Sequence, residues 1–136
     1  MSTTTIQKFI KRWGPTVLIM AVIYFASSLS SGEVPHFEGI LDYIIKKGGH
    51  MTGYALLALA YLRGIGKTSS RAIFFAWFLA VAYALTDELH QSLTPGRTPR
   101  FTDIGFDAAG AFLGLLAYSI IRKTWSEKAF PRITRI

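Results

Sequence analysis

A chain of 136 residues has room for one hydrophobic core, so residues 1–136 are read as a single domain. Its residues are 51% hydrophobic and 14% aromatic against 17% charged, a balance that belongs to membrane proteins more than to water-soluble ones. The absence of cysteine excludes disulfide frameworks and thiolate metal sites, and the net charge of +7 gathers at segment ends, not in the stripe that nucleic acid would need.

The first apolar stretch runs from Pro15 to Leu29, behind the basic cluster Lys8, Lys11 and Arg12. A basic start, an apolar run and the small residues SSLSSG also fit a signal peptide, whose removal would leave three spans and an outside N-terminus. Next, PHFEGILDYIIKK over 35–47 places Phe37, Ile40, Leu41, Ile44 and Ile45 on one helical face, with Glu38, Asp42 and Lys46 opposite. This pattern predicts an interfacial amphipathic helix, or equally a helix packed over the mouth of a bundle. The second span covers Met51–Leu62, extendable to Gly49–Gly66 because membrane helices tolerate glycine. The third is Ala72–Thr86 and the fourth Ile104–Ile121. Several fall short of the ~20 residues a bilayer crossing takes, so they are expected to extend into their polar flanks or to thin the membrane locally. None alternates with period two, which points to helices and away from a barrel.

Orientation follows from the basic residues beside the spans. Lys8, Lys11 and Arg12 precede the first, Arg63, Lys67 and Arg71 lie between the second and third, and Arg122, Lys123, Lys128, Arg132 and Arg135 follow the fourth. All three regions are expected in the cytoplasm, which requires an even number of spans. The predicted fold is therefore an all-α membrane protein with four transmembrane helices, cytoplasmic N and C termini, and the amphipathic helix between the first two spans.

This topology sends most of the polar residues to the outward end. Lys47, His50 and Tyr54 share a face at the start of the second span. Asp87, Glu88 and Gln91 close the third, Arg97 and Arg100 lie in a loop turned by Pro95-Gly96, and Asp103 and Asp107 open the fourth one turn apart. Asp103 reads most simply as an acid stabilised at a helix start, and His36 and His90 as surface residues. Gly110 and Gly114 form a GxxxG, expected to be a helix-packing surface. Asp107 is the hardest to explain structurally, because a carboxylate one turn inside a span is costly unless it pairs or faces a wet cavity.

Lys47-Gly-Gly-His50 with Tyr54, Asp87-Glu88-Leu-His-Gln91, Pro95-Gly96-Arg97, and Asp103-Ile-Gly-Phe-Asp107 with Gly110 and Gly114 resemble the VanZ-like family of small bacterial membrane proteins. The resemblance covers about Ser27 to Tyr118, and its DExxQ–PGR–D core is its specific part. Where that family usually has asparagine, this chain has Asp107. The family's namesake is associated with resistance to teicoplanin, a lipoglycopeptide acting on cell-wall precursors. The resemblance thus implies a multi-pass protein of the bacterial cytoplasmic membrane, acting near envelope lipids or glycopeptides, and it supplies no reaction.

Three functions fit these residues. In the first, Lys47, His50, Tyr54, Asp87, Glu88, Gln91, Arg97, Asp103 and Asp107 form an outward pocket for an anionic lipid headgroup, a polyprenyl-linked cell-wall precursor or a glycopeptide. Arginine suits phosphate or carboxylate because its planar fork donates two parallel hydrogen bonds. In the second, the protein is a membrane-embedded hydrolase or transferase, with Glu88, Asp87 and His50 as catalytic candidates. The sequence leans away from this, since HExxH and Ser- or Cys-centred motifs are missing, and no metal or cofactor is expected. In the third, the charges only hold an assembly factor together.

Overall fold

The computed structural model describes residues 3–29, 37–94 and 100–129. These form four helices: α1 Thr3–Ser28, α2 Ile40–Ile65, α3 Ser70–Gln91 and α4 Phe101–Ala129. Their lengths of 26, 26, 22 and 29 residues all exceed the apolar stretches that seed them. The helices do grow into their polar flanks, as a bilayer requires. Three of them, Thr3–Ser28, Ser70–Gln91 and Phe101–Trp125, are long and apolar enough to cross a membrane. α2 is as long as α1 but carries Asp42, Lys46, Lys47 and Arg63.

Two element boundaries differ from the sequence reading. α1 begins at Thr3 and passes straight through Pro15. Proline cannot donate to the carbonyl four residues earlier, and the freed Lys11 carbonyl accepts instead from Arg63 Nη2 at 3.2 Å. The second difference concerns the amphipathic segment. From Ile40 onward it is not a separate helix but the first turns of α2, which continues unbroken through Gly48 and Gly49. Each helical glycine costs ~1 kcal/mol relative to alanine, and Thr52 Oγ1 adds a 2.7 Å hydrogen bond to the Gly48 carbonyl in this stretch. Glu38 and Gly39 remain outside the helix, while Pro35 and His36 lie outside the described residues.

α1 and α3 run one way and α2 and α4 the other. α2 packs against all three partners, whereas α1 and α4 make no contact with each other among the described residues. The closest approach is between α2 and α4, where the GxxxG lies. A Cβ at Gly110 would drive into the backbone of Met51, and one at Gly114 would come within 2.9 Å of the Ala55 Cβ. Both positions need glycine because backbone meets backbone.

α2 fills the core with Tyr54, Leu57, Tyr61 and Leu62, and α3 lays small side chains against it while turning large ones outward. α3 buries Ala72, Ala76, Ala80 and Ala84, each a helical turn apart, and turns Phe74, Phe75, Phe78, Leu85 and Leu89 outward. α4 likewise buries Ala111 and exposes Phe112, Leu113, Leu116, Ile120 and Ile121. In water this would be an apolar surface far larger than a monomer tolerates; in lipid tails it is the expected exterior, and small inner residues let the helices pack closely.

At one end α2 is closed by basic residues. Gly66 adopts a left-handed cap, with its N–H donating to the Leu62 carbonyl. Arg12 of α1 reaches across to donate to the Gly64 carbonyl at 2.5 Å and to the Ile65 carbonyl. A cation here also complements the negative end of the helix dipole.

Candidate functional site

The opposite end of the bundle holds the polar residues. α3 ends its alanine face in Asp87, Glu88 and Gln91, which continue the same inward stripe. Asp87 is only 4% exposed. Its Oδ2 accepts from Ser27 Oγ of α1 at 2.9 Å and from Gln91 Nε2 at 3.1 Å, and Gln91 Nε2 also donates to Ser27 Oγ at 3.2 Å. Three buried side chains thus close a triangle between α1 and α3. The acid faces the unfavourable end of its own helix dipole and is held by side-chain donors instead.

Across the bundle, α2 and α4 run parallel and their residues pair in register. Lys47 Nζ lies 2.5 Å from Asp103 Oδ1. One turn deeper, His50 Nδ1 lies 3.3 Å from Asp107 Oδ1. Deeper still, Met51 meets Gly110. Lys47 is also held over the rings of Tyr43 and Phe106, 5.8 and 5.6 Å from their centroids. Asp103, which opens α4 at its N-terminal end, is therefore also the counter-ion of Lys47.

Tyr54 joins the two halves. It is 1% exposed, and Asp87 on one side and Asp107 on the other are near enough to act on it electrostatically. Its hydroxyl has no hydrogen-bond partner, and neither has Asp107 Oδ1. The His50–Asp107 contact has ion-pair distance without the alignment of a hydrogen bond, so the carboxylate keeps an unused acceptor position. The Tyr54 hydroxyl is thus left without a well-aligned partner, with Asp87 the nearest group able to accept from it, and a buried hydroxyl so placed costs ~1–3 kcal/mol.

Glu88 stands at the rim, where its Oε1 accepts from the backbone N–H of Arg100. This bond ties the end of α3 to the start of α4. Arg97, with Pro95 and Gly96, lies outside the described residues. Among the described residues, no three carboxylate or imidazole groups gather as a metal ion requires.

The cluster therefore contains Lys47, His50, Tyr54, Asp87, Glu88, Gln91 and Asp103 with Asp107. Sequence reasoning missed Ser27, which is 3% exposed and shares the Asp87 triangle. Its one legible signal was a small hydroxyl side chain a helical turn beyond Ile23, both facing inward. Nor is His90 simply a surface residue: its ring stacks on Tyr24 at 4.5 Å, and its Nε2 lies 2.9 Å from Ser28 Oγ.

Helices with apolar outer faces, small inner residues and a knot of ionisable groups at one end define a multi-pass membrane protein. Residues 3–122 match the VanZ/LLP1 family, and the chain belongs to it. Neither the curated proteins nor the solved structures contain a match.

Proposed function

We propose that all four helices cross the bacterial cytoplasmic membrane with both termini in the cytoplasm. In this reading the polar cluster faces outward and binds the polar end of an anionic envelope lipid or a glycopeptide. The observation that carries the proposal is the buried Tyr54 hydroxyl, which makes no well-aligned hydrogen bond, near the Asp107 carboxylate, whose contact with His50 is also poorly aligned. A ligand amide or sugar hydroxyl between them would satisfy both groups at once. Lys47 and Arg97 are the cations available to hold its phosphate or carboxylate, and Asp103 keeps Lys47 in place. Orientation is supported by Lys8, Lys11, Arg12, Arg63, Lys67, Arg71, Arg122 and Lys123, all near the end opposite the cluster. The first turns of α2, with exposed Ile40, Leu41, Ile44 and Ile45, suit the headgroup layer on the outer side.

The test has two arms. Because the chain has no cysteine, single cysteines at Lys67 and Leu93 can be labelled in intact cells with a membrane-impermeant maleimide. Labelling at Leu93 alone is expected, and labelling at Lys67 alone overturns the orientation. Binding of teicoplanin and of undecaprenyl diphosphate to purified protein is then compared between parent, Tyr54→Phe and Arg97→Ala. Loss of binding with helical content intact supports the site, and unchanged binding of both probes overturns it.

A second reading is favoured by one contact. His50 held by Asp107 is the arrangement of an oriented general base. A membrane-embedded hydrolase or transferase would use it with Asp87 or with Glu88, the acid nearest the rim. Turnover of a polyprenyl-linked substrate, abolished by Glu88→Gln and His50→Gln, would establish this reading over simple binding.

A further inference from the structure

Away from the polar cluster, α3 and α4 border an apolar groove of about 500 Å³ on the outside of the bundle. That volume lies in the range of small-ligand pockets. Because α3 and α4 are antiparallel, Ser70 stands beside Ser119 at one end and Trp77 beside Phe112 at the other, with Ile73 and Leu116 between. From Ser70 to Trp77 the groove is ~10 Å long at the helical rise per residue. Its walls are almost wholly hydrocarbon and aromatic. Trp77 is fixed there by donating from Nε1 to the Ala108 carbonyl at 3.0 Å, so the deep end is preformed.

The serine end differs. Arg71 follows Ser70 directly, and Arg122 lies one turn beyond Ser119, where its Nη1 donates to the Thr68 carbonyl at 3.3 Å. Lys67 and Lys123 flank the same mouth, and no acid occurs between Arg63 and Arg71 or between Gly110 and Thr124. An apolar slot with a basic mouth is complementary to one ligand type: a hydrocarbon chain ending in an anionic headgroup. A basic residue near a membrane surface attracts anionic lipid by ~1 kcal/mol, about fivefold, before any chain is seated.

We propose that this groove is a binding site for an anionic phospholipid. One acyl chain lies between α3 and α4 against Trp77, and the phosphate sits at Arg71 and Arg122. The site is independent of the polar cluster and of what that cluster binds. It needs only that α3 and α4 sit in a bilayer.

The full chain carrying Trp13→Phe and Trp125→Phe leaves Trp77 as the single tryptophan reporter. In phosphatidylcholine vesicles doped with lipid brominated on its acyl chains, phosphatidylglycerol is expected to quench Trp77 at least about twofold more than phosphatidylcholine at equal mole fraction. Ser119→Leu keeps every charge but fills the mouth, and Arg71→Gln with Arg122→Gln keeps the slot but removes the charge. Each change is expected to erase the excess. Equal quenching by the two lipids overturns the proposal, and needs no variant beyond the reporter. An excess that survives Ser119→Leu also overturns it, because it would come from general attraction to the basic end.

Discussion

Ser27 of α1 donates a 2.9 Å hydrogen bond to Asp87 of α3, sixty residues away, where both side chains are almost fully buried. This bond anchors α1, the helix with the least buried surface, to the acid that α3 places inward. Removing the hydroxyl with Ser27→Ala leaves a buried carboxylate short of a donor. The expected cost is ~1–3 kcal/mol, read as earlier thermal unfolding in detergent. Ser28→Ala, at an exposed neighbour, is expected to cost less.

Tyr54→Phe should behave in the opposite way. Its hydroxyl is buried without a partner, so its loss is expected to leave stability unchanged or to raise it by up to ~1 kcal/mol. Binding of the ligand, by contrast, should fall. A clear loss of stability on removing the hydroxyl would mean that the group is satisfied within the fold, and the open position would disappear.

The two glycines of α4 offer a steric prediction. Gly110→Ala puts a methyl group into the Met51 backbone, which cannot step aside as a side chain can. An overpacking cost of ~1–3 kcal/mol is expected, with α2 and α4 pushed apart. Gly105 is the control, because a Cβ there meets nothing within 4 Å. Gly105→Ala should be neutral or mildly stabilising in the same melts.

At the other end, Arg12 closes α2 through two carbonyls. Arg12→Ala is expected to destabilise by ~1.5–3 kcal/mol, the range for hydrogen bonds to charged groups. Arg12→Lys should recover part of the loss, since an ammonium keeps the charge but lacks the fork that spans both oxygens. Thermal melts of the three proteins in one detergent decide this.

Lys47 and Asp103 separate a binding site from a mere charge network. Exchanging them (Lys47→Asp with Asp103→Lys) restores the ion pair in reverse. If the cluster serves only to hold helices together, both folding and function return in the double variant. If Lys47 grips a ligand anion, folding returns and binding does not. Helical content and undecaprenyl diphosphate binding, measured on both single variants and the exchange, distinguish the two.

Much of this protein is written plainly in its chain. Hydropathy marks the four apolar runs from which the helices grow, although each helix is longer than its run. The i, i+3 and i+4 spacings also set Lys47, His50 and Tyr54 on one face of α2, and Asp103, Asp107, Gly110 and Gly114 on one face of α4. Spacing within a helix does not say which way the helix is turned or what stands opposite. That Lys47 meets Asp103 while His50 meets Asp107 follows from the parallel register of α2 and α4, and the glycine contacts beneath them set that register. Ser27 and the alanine stripe of α3 escaped notice for a related reason. On α3 the buried face is marked by small size, not by hydrophobicity, so a reading weighted toward large apolar residues follows its outer face. The unbroken course of α2 through Gly48 and Gly49 was not legible either, since two consecutive glycines have poor helix preference and open space lies beside both. The chain determined the four helices and the company of charged groups at one end. Tertiary packing decided which of them pair, and left the Tyr54 hydroxyl among them without a well-aligned partner.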